Sequence, residues 1–306
     1  MRQKQESIPE LPAENHPYFL LPEQSLSLPS GPDGQPQIKI SYRQAGQGKP
    51  ILLLPGLWTS AYTFRHLIEP LSGNFRLIMP DLIDPQANQV LPQADYRPER
   101  LADLIQNICE ALELERPFVV AHAESGLACL WLGLSNPDCL GALIAIAPAV
   151  NLPALTGLKG RLLAHPWLVA RRAQNGFKRP IQTAIGMLEY ADPAVFCRQE
   201  IRELARRWTS LPGANLSARI LAQTRTPLYR RGFLQKLIAS PTSFPVPLKL
   251  IFGQADRLAT PAQGQKLNRM LPGSELLISE QGGAAVQVEE PKWLAKIIRE
   301  AAQGQS

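Results

Sequence analysis

Three short stretches hold the residue types that hydrolytic chemistry uses. In Phe118-Val-Val-Ala-His-Ala-Glu-Ser-Gly126 a buried strand gives way to a helix within a few residues, and His122, Glu124 and Ser125 fall together at that junction. Phe252-Gly-Gln-Ala-Asp256 places a carboxylate in a tight turn after another apolar strand. Gly282-Gly-Ala-Ala-Val-Gln-Val-Glu-Glu-Pro291 follows the last strand. A nucleophile activated by an imidazole can open an ester or related bond covalently, and a carboxylate can act as general base on water. The histidines are His16, His66, His122 and His165, so no imidazole follows the last strand.

The elements that must position these groups can be read from apolar spacing. Gln37 to Arg43 alternates as a half-exposed edge strand does, and Gln24 to Leu28 is a further strand candidate. Pro50 to Pro55, Phe75 to Met79, Pro117 to Ala121, Leu140 to Pro148, Pro247 to Phe252 and Glu275 to Ile278 are apolar strands. Helical patterns lie between them at Thr63 to Leu71, Pro98 to Leu114 and Gly126 to Leu134, and a last helix carries Trp293, Leu294, Ile297 and Ile298 on one face. Such alternation predicts an α/β protein with a mostly parallel central sheet flanked by helices. Residues 1–36, rich in Pro, Gln and Ser, are expected to form an extended arm. Residues 37–150 and 247–306 form the core, and 151–246, with helical spacing such as Ile201, Leu204, Ala205 and Trp208, form a helical cap.

Taken in order, these turns resemble those of the α/β-hydrolase fold family from Gln37 to Ala302. The 118–126 junction is similar to the family's G-x-S-x-G nucleophile elbow, where strand and helix nearly touch and the flanks must be small. In that register Ala121 and Ser125 take the glycine positions and Ala123 takes the serine position. Leu54-Pro55-Gly56-Leu57 resembles the His-Gly turn after the third strand, with Pro55 in place of His. Met79-Pro80-Asp81-Leu82 resembles the following Pro-Asp element, with Ile83-Asp84-Pro85 where glycines are usual. Asp256 matches the acid of the G-x-x-D turn. Counting back from Glu289 and Pro291 puts Ala284 in the histidine slot. The resemblance implies an oxyanion hole built from the N–H groups of Leu57 and Glu124.

Alanine supplies neither nucleophile nor base, so Ala123 excludes a covalent intermediate at its position. The resemblance therefore points to a non-catalytic pseudoenzyme that binds a small molecule or partner. An alternative is an active hydrolase of ester or epoxide type that uses Asp256, Glu124 or His122 on water. Ser125 is a candidate displaced nucleophile, but its place in the elbow favours packing. His122 and His66 are read as structural, and His165 is a pocket candidate in the cap. Trp58, Trp167 and Trp208 are candidate pocket walls. No metal or cofactor is expected.

The chain has 306 residues and a net charge of +6. Its basic surplus is local: residues 151–246 hold fifteen basic and four acidic residues, a net +11, against −5 for the rest. Such a surplus is most often a solvated surface; the alternative is a face for an acidic protein or an anionic membrane surface, and nothing in it resembles a nucleic-acid-binding module. A small apolar or acidic ligand is expected between core and cap. The longest apolar runs fall well short of a membrane-spanning helix, and Met1 to Gln24 has no apolar signal core. With four cysteines lacking metal-ligand or redox spacing, a cytoplasmic protein with reduced thiols is expected.

Overall fold

The structure, a computed structural model, describes residues 16–28, 38–84, 95–148, 191, 216, 219–220, 223–224, 231–239 and 243–304. Eight strands form one sheet: β1 (Gln24–Leu28), β2 (Ile38–Ala45), β3 (Lys49–Leu54), β4 (Phe75–Asp81), β5 (Phe118–His122), β6 (Ala142–Ile146), β7 (Leu248–Gly253) and β8 (Glu275–Ser279). Their spatial order is β1-β2-β4-β3-β5-β6-β7-β8. Only the β1–β2 and β2–β4 pairs are antiparallel; the other five are parallel. Every residue of β5 and β6 is buried, as are Ile51 to Leu54 of β3. Uninterrupted apolar runs of this kind belong to parallel strands covered on both faces.

The covering helices are amphipathic for the same reason. Helix α3 (Pro98–Ala111) buries Leu101, Leu104, Ile105 and Ile108, one stripe at three- and four-residue spacing, against α4 (Ala123–Ser135). The last helix, α8 (Pro291–Gln303), buries Leu294, Ile297 and Ile298. The short helices α1 (Pro17–Leu20) and α2 (Ile68–Leu71) precede α3, and α5 (Arg231–Ile238), α6 (Pro261–Met270) and α7 (Val286–Glu289) lie between α4 and α8. Helices α3, α6 and α8 each begin on a proline, whose missing N–H costs nothing in the first turn.

Three local expectations are corrected. Strand β2 is not an edge strand: Gln24–Leu28 of the arm pairs with its residues 38–42, Leu28 and Ile40 are fully buried, and β1 becomes the edge. The stretch from Thr63 to Leu71 is not one α-helix but a 3₁₀ segment, Ala61–Leu67, followed by α2. Pro70 has no N–H to give the carbonyl of His66, so a continuous α-helix cannot run through this point. Helix α4 begins at Ala123, three residues earlier than its apolar spacing suggests, because the chain turns at Ala123 itself.

Of the predicted cap, the described part includes α5, which packs on α3 and α4, with Phe233 buried and Lys236 over the Trp131 ring at 5.6 Å. His165, Trp167, Trp208, Cys197 and most of the basic residues of that segment lie outside the described residues. Among the described residues no helix is long and apolar enough to cross a membrane. Cys109 and Cys129 are buried free thiols and Cys139 is partly buried.

Candidate active site

Parallel strands place their C-terminal ends side by side, and the turns leaving those ends carry the residues singled out in the sequence. Pro55-Gly56-Leu57 follows β3, Ala123 follows β5, Asp256 lies in the turn after β7, and Ala284 lies in the loop after β8.

The junction after β5 is a strained elbow. Ala123 has φ +51°, a left-handed conformation that L-residues adopt at a cost. The turn leaves no room beside it: a side chain at Gly126 would approach the Ala121 carbonyl oxygen at 3.1 Å and Pro148 Cβ at 3.3 Å. Ser125 is fully buried and its hydroxyl donates to the Pro55 carbonyl, tying the elbow to the β3 turn. Its oxygen is thus committed to the backbone. Along 121–130 only Ala123 is partly exposed, so the elbow opens to the exterior at that residue.

Glu124 turns inward. Its Oε2 accepts the Leu57 N–H at 3.1 Å, and its carboxylate also accepts its own N–H and the indole N–H of half-buried Trp58. The two main-chain donors expected to form an oxyanion hole therefore already hold a carboxylate. Burial pushes the Glu124 carboxyl above its ordinary pKa, and these three hydrogen bonds pull against that shift. Gly56 permits this close approach: a Cβ there would meet Ala123 Cβ at 3.1 Å, Glu124 Oε2 at 3.2 Å and His122 Nδ1 at 3.4 Å.

His122 is buried, and its Nε2 lies 3.0 Å from the main-chain carbonyl of Ala284. A carbonyl only accepts, so Nε2 carries the proton and Nδ1 is left as a buried acceptor with no partner. Burial holds the imidazole neutral, lowering its pKa to about 4 against the opposing hydrogen bond to Ala284. The ring therefore joins the elbow to the loop after β8.

Asp256 is buried, and Oδ1 accepts the N–H groups of Leu258 at 2.7 Å and Ala259 at 2.8 Å. Oδ2 is buried with no hydrogen-bond partner. Burial raises the pKa to about 7 despite those two donors, and the nearby Glu289 adds to the rise. The Asp256 turn is fastened to the β8 loop, since Ala255 N–H donates to Gly282 O at 3.1 Å. At Gly253 a Cβ would fall 2.1 Å from Gly283 O and 2.3 Å from Gly282 O, so only glycine lets the two turns come this close. Ala284, in the slot expected for the histidine, is buried and offers only a methyl group and its carbonyl. Glu289 secures the same loop by accepting Gly283 N–H at 2.7 Å, and its other oxygen takes the N–H of Ala191 at 2.7 Å.

The three positions expected for the triad thus lie at the C-terminal ends of β5, β7 and β8, with their turns bonded together. His66 stands elsewhere, beside His16 with ring centroids 6.1 Å apart, and burial, Arg65 and His16 lower its pKa to about 4. Two groups escaped the sequence reading. Gln287 is fully buried, donates to Thr63 Oγ1 at 2.9 Å, and leaves Oε1 without a partner. The donor role of Trp58 also depends on where Glu124 points, which spacing does not encode. Among the described residues no group of three or more His, Cys, Asp or Glu is placed to hold a metal ion.

The family described as alpha/beta hydrolase fold matches residues 49–291. A magnesium-chelatase 30 kDa subunit from Rhodobacter capsulatus is 26% identical over 237 residues, 75% of this chain and 78% of that protein. The AB hydrolase superfamily protein YfhM of Bacillus subtilis is 25% identical over 271 residues, 83% of this chain and 90% of its own. In three dimensions the chain is similar to a probable hydrolytic enzyme from Pseudomonas aeruginosa, with TM-score 0.74 and 19% identity over 96% of this chain and 99% of the other.

Proposed function

Starting from the fact that the chain belongs to the α/β-hydrolase fold family, we propose that it is a non-catalytic member that binds a small molecule or a partner where active relatives carry out hydrolysis. The observation that carries this reading is the Glu124 carboxylate seated on the Leu57 N–H, its own N–H and the Trp58 indole. An oxyanion forming there would displace one anion to make room for another. Alanine at 123 and 284 removes nucleophile and base as well, so three separate requirements of acyl transfer fail together. The Rhodobacter relative is named as a chelatase subunit rather than a hydrolase, which accords with a binding role. The +11 charge of residues 151–246 supports an acidic protein or an anionic membrane surface as a further partner, and the free thiols support a cytoplasmic setting.

Hydrolysis of an ester panel tests this reading. The wild-type protein is expected to be silent, and Ala123→Ser/Ala284→His to stay near background because Glu124 still holds the donors. Adding Glu124→Ala to that pair should raise turnover by about 10²-fold or more, the worth of a working oxyanion donor. Wild-type turnover that Asp256→Ala abolishes would overturn the proposal.

One observation favours a second reading, an active hydrolase in which Asp256 deprotonates water. Burial brings its pKa to about 7, where a general base operates at neutral pH. The same Asp256→Ala experiment separates the two.

A further inference from the structure

Among the described residues at these strand ends, the main-chain and ring donors are taken and several acceptors are not. The main-chain N–H groups of Leu57 and Glu124 and the Trp58 indole N–H are spent on the Glu124 carboxylate. The Leu258 and Ala259 N–H groups are spent on Asp256 Oδ1, and the His122 Nε2–H on the Ala284 carbonyl. What remains buried and unpartnered is Asp256 Oδ2, His122 Nδ1 and Gln287 Oε1, all acceptors, on the turns and elements that converge at Ala123 and Ala284. Glu289 adds a third carboxyl group close enough to raise the pKa of Asp256. A site built for an oxyanion has become one that repels anions.

We propose that this site binds a small molecule through a protonated nitrogen group, amidinium, imidazolium or alkylammonium, that donates to Asp256 Oδ2. This rests on the reading of the protein as a binder and deepens it by naming the head group. Three features select that chemistry. A carboxylate oxygen buried without a donor is costly, and a charge-assisted N–H from a ligand removes the cost. Half-buried Trp58, bonded to Glu124, supplies an indole at the elbow, and indoles favour cations near them. Ala123 is partly exposed, which gives a ligand a route to the elbow. An acidic head group, the alternative left open by the sequence, meets Glu124, Asp256 and Glu289 instead.

Benzamidine, benzamide and benzoate make a matched set that differs only in charge and donors, and their binding to the full-length chain can be followed by calorimetry at pH 8, where Asp256 is ionised. Benzamidine is expected to bind saturably and at least tenfold more tightly than benzoate, with benzamide between them. Asp256→Asn keeps Oδ1 for its two N–H donors and removes the charge, so benzamidine affinity should fall about tenfold or more. Ala284→His, which gives Oδ2 an internal imidazole donor, should cause a loss of similar size and serves where the Asn variant fails to fold. Equal binding of benzoate, no saturable binding of benzamidine, or an affinity unmoved by either variant overturns the assignment of the head group. These results leave the non-catalytic reading standing, because that reading falls only if the wild-type protein turns over esters.

Discussion

Leu57 and Glu124 are bonded across 67 positions of sequence, the main-chain N–H of one donating to the side-chain Oε2 of the other at 3.1 Å. The contact exists because β3 and β5 are parallel neighbours whose C-terminal ends emerge side by side. Glu124 sits in the first turn of α4, where its carboxylate also reaches its own N–H, so the negative charge lies at the positive end of the helix. The main-chain N–H groups expected to serve an oxyanion are thus held by the Glu124 carboxyl group.

Gly56 is the residue that lets this arrangement close. Gly56→Ala would bring a methyl group to 3.1 Å from Ala123 Cβ and 3.2 Å from Glu124 Oε2, with little slack in either neighbour. The expected cost is about 1–3 kcal/mol in denaturant unfolding. In a Glu124→Ala background the same change should cost less, and the coupling in the double-mutant cycle should be about 1 kcal/mol. Additive losses would mean that the carboxylate does not crowd Gly56.

Ala123 holds a strained backbone shape that, in the proposed reading, no longer presents a nucleophile. At φ +51° its Cβ strains the turn, and glycine adopts that conformation freely. Ala123→Gly should therefore stabilise the protein by about 1 kcal/mol, the scale of the left-handed penalty. A thermal melt reads this directly. A fall in stability would show that the Cβ packs more than it strains.

How much of this was open to inspection in the sequence depends on which property each residue expresses. Ala121, Ala123, Ser125 and Gly126 betray the elbow because close packing of strand and helix admits only small residues, and size is written in the residue type. Asp256 is legible because it sits three residues beyond the obligatory Gly253. The direction of Glu124 is not legible: a carboxylate at that point could face solvent, and only the proximity of Leu57 and Trp58 turns it inward. Gln287 is hidden for a related reason, since Val286 and Val288 mark a buried turn but give no sign that Thr63, from a distant segment, will meet it. The sheet edge is not legible either: Gln24–Leu28 reads as a strand candidate, but its spacing does not say that it pairs with β2 and takes the edge from it.

Ser125 has its hydroxyl directed at the Pro55 carbonyl in a fully buried position, so its role is to join two turns. Ser125→Ala should cost about 1–3 kcal/mol, because it strands a buried carbonyl. A serine-directed fluorophosphonate should leave the wild-type protein unlabelled, as judged by intact mass. A mass shift absent from Ser125→Ala would instead identify it as a displaced nucleophile.

The pH dependence of stability should expose Asp256. Burial is the main cause of its pKa near 7, with Glu289 of α7 contributing and the Leu258 and Ala259 N–H groups opposing. Between 3.8 and about 7 the folded chain keeps a proton that the unfolded chain has released, so this group makes stability fall as pH rises through that window. His122, neutral down to about 4 instead of 6.5, acts oppositely: stability falls as pH drops from 6.5, where the unfolded chain takes up a proton and the folded chain does not. The two effects offset one another in the wild-type protein. Asp256→Asn removes one of them, so its stability relative to wild type should be lowest at pH 4, climb to about pH 7 and then level off. At roughly 1.4 kcal/mol per pKa unit the climb is a few kcal/mol at most. Urea unfolding at pH 4, 5.5, 7 and 8 would measure it, and a difference independent of pH would mean that Asp256 is ionised throughout and that its Oδ2 has found a donor in solution.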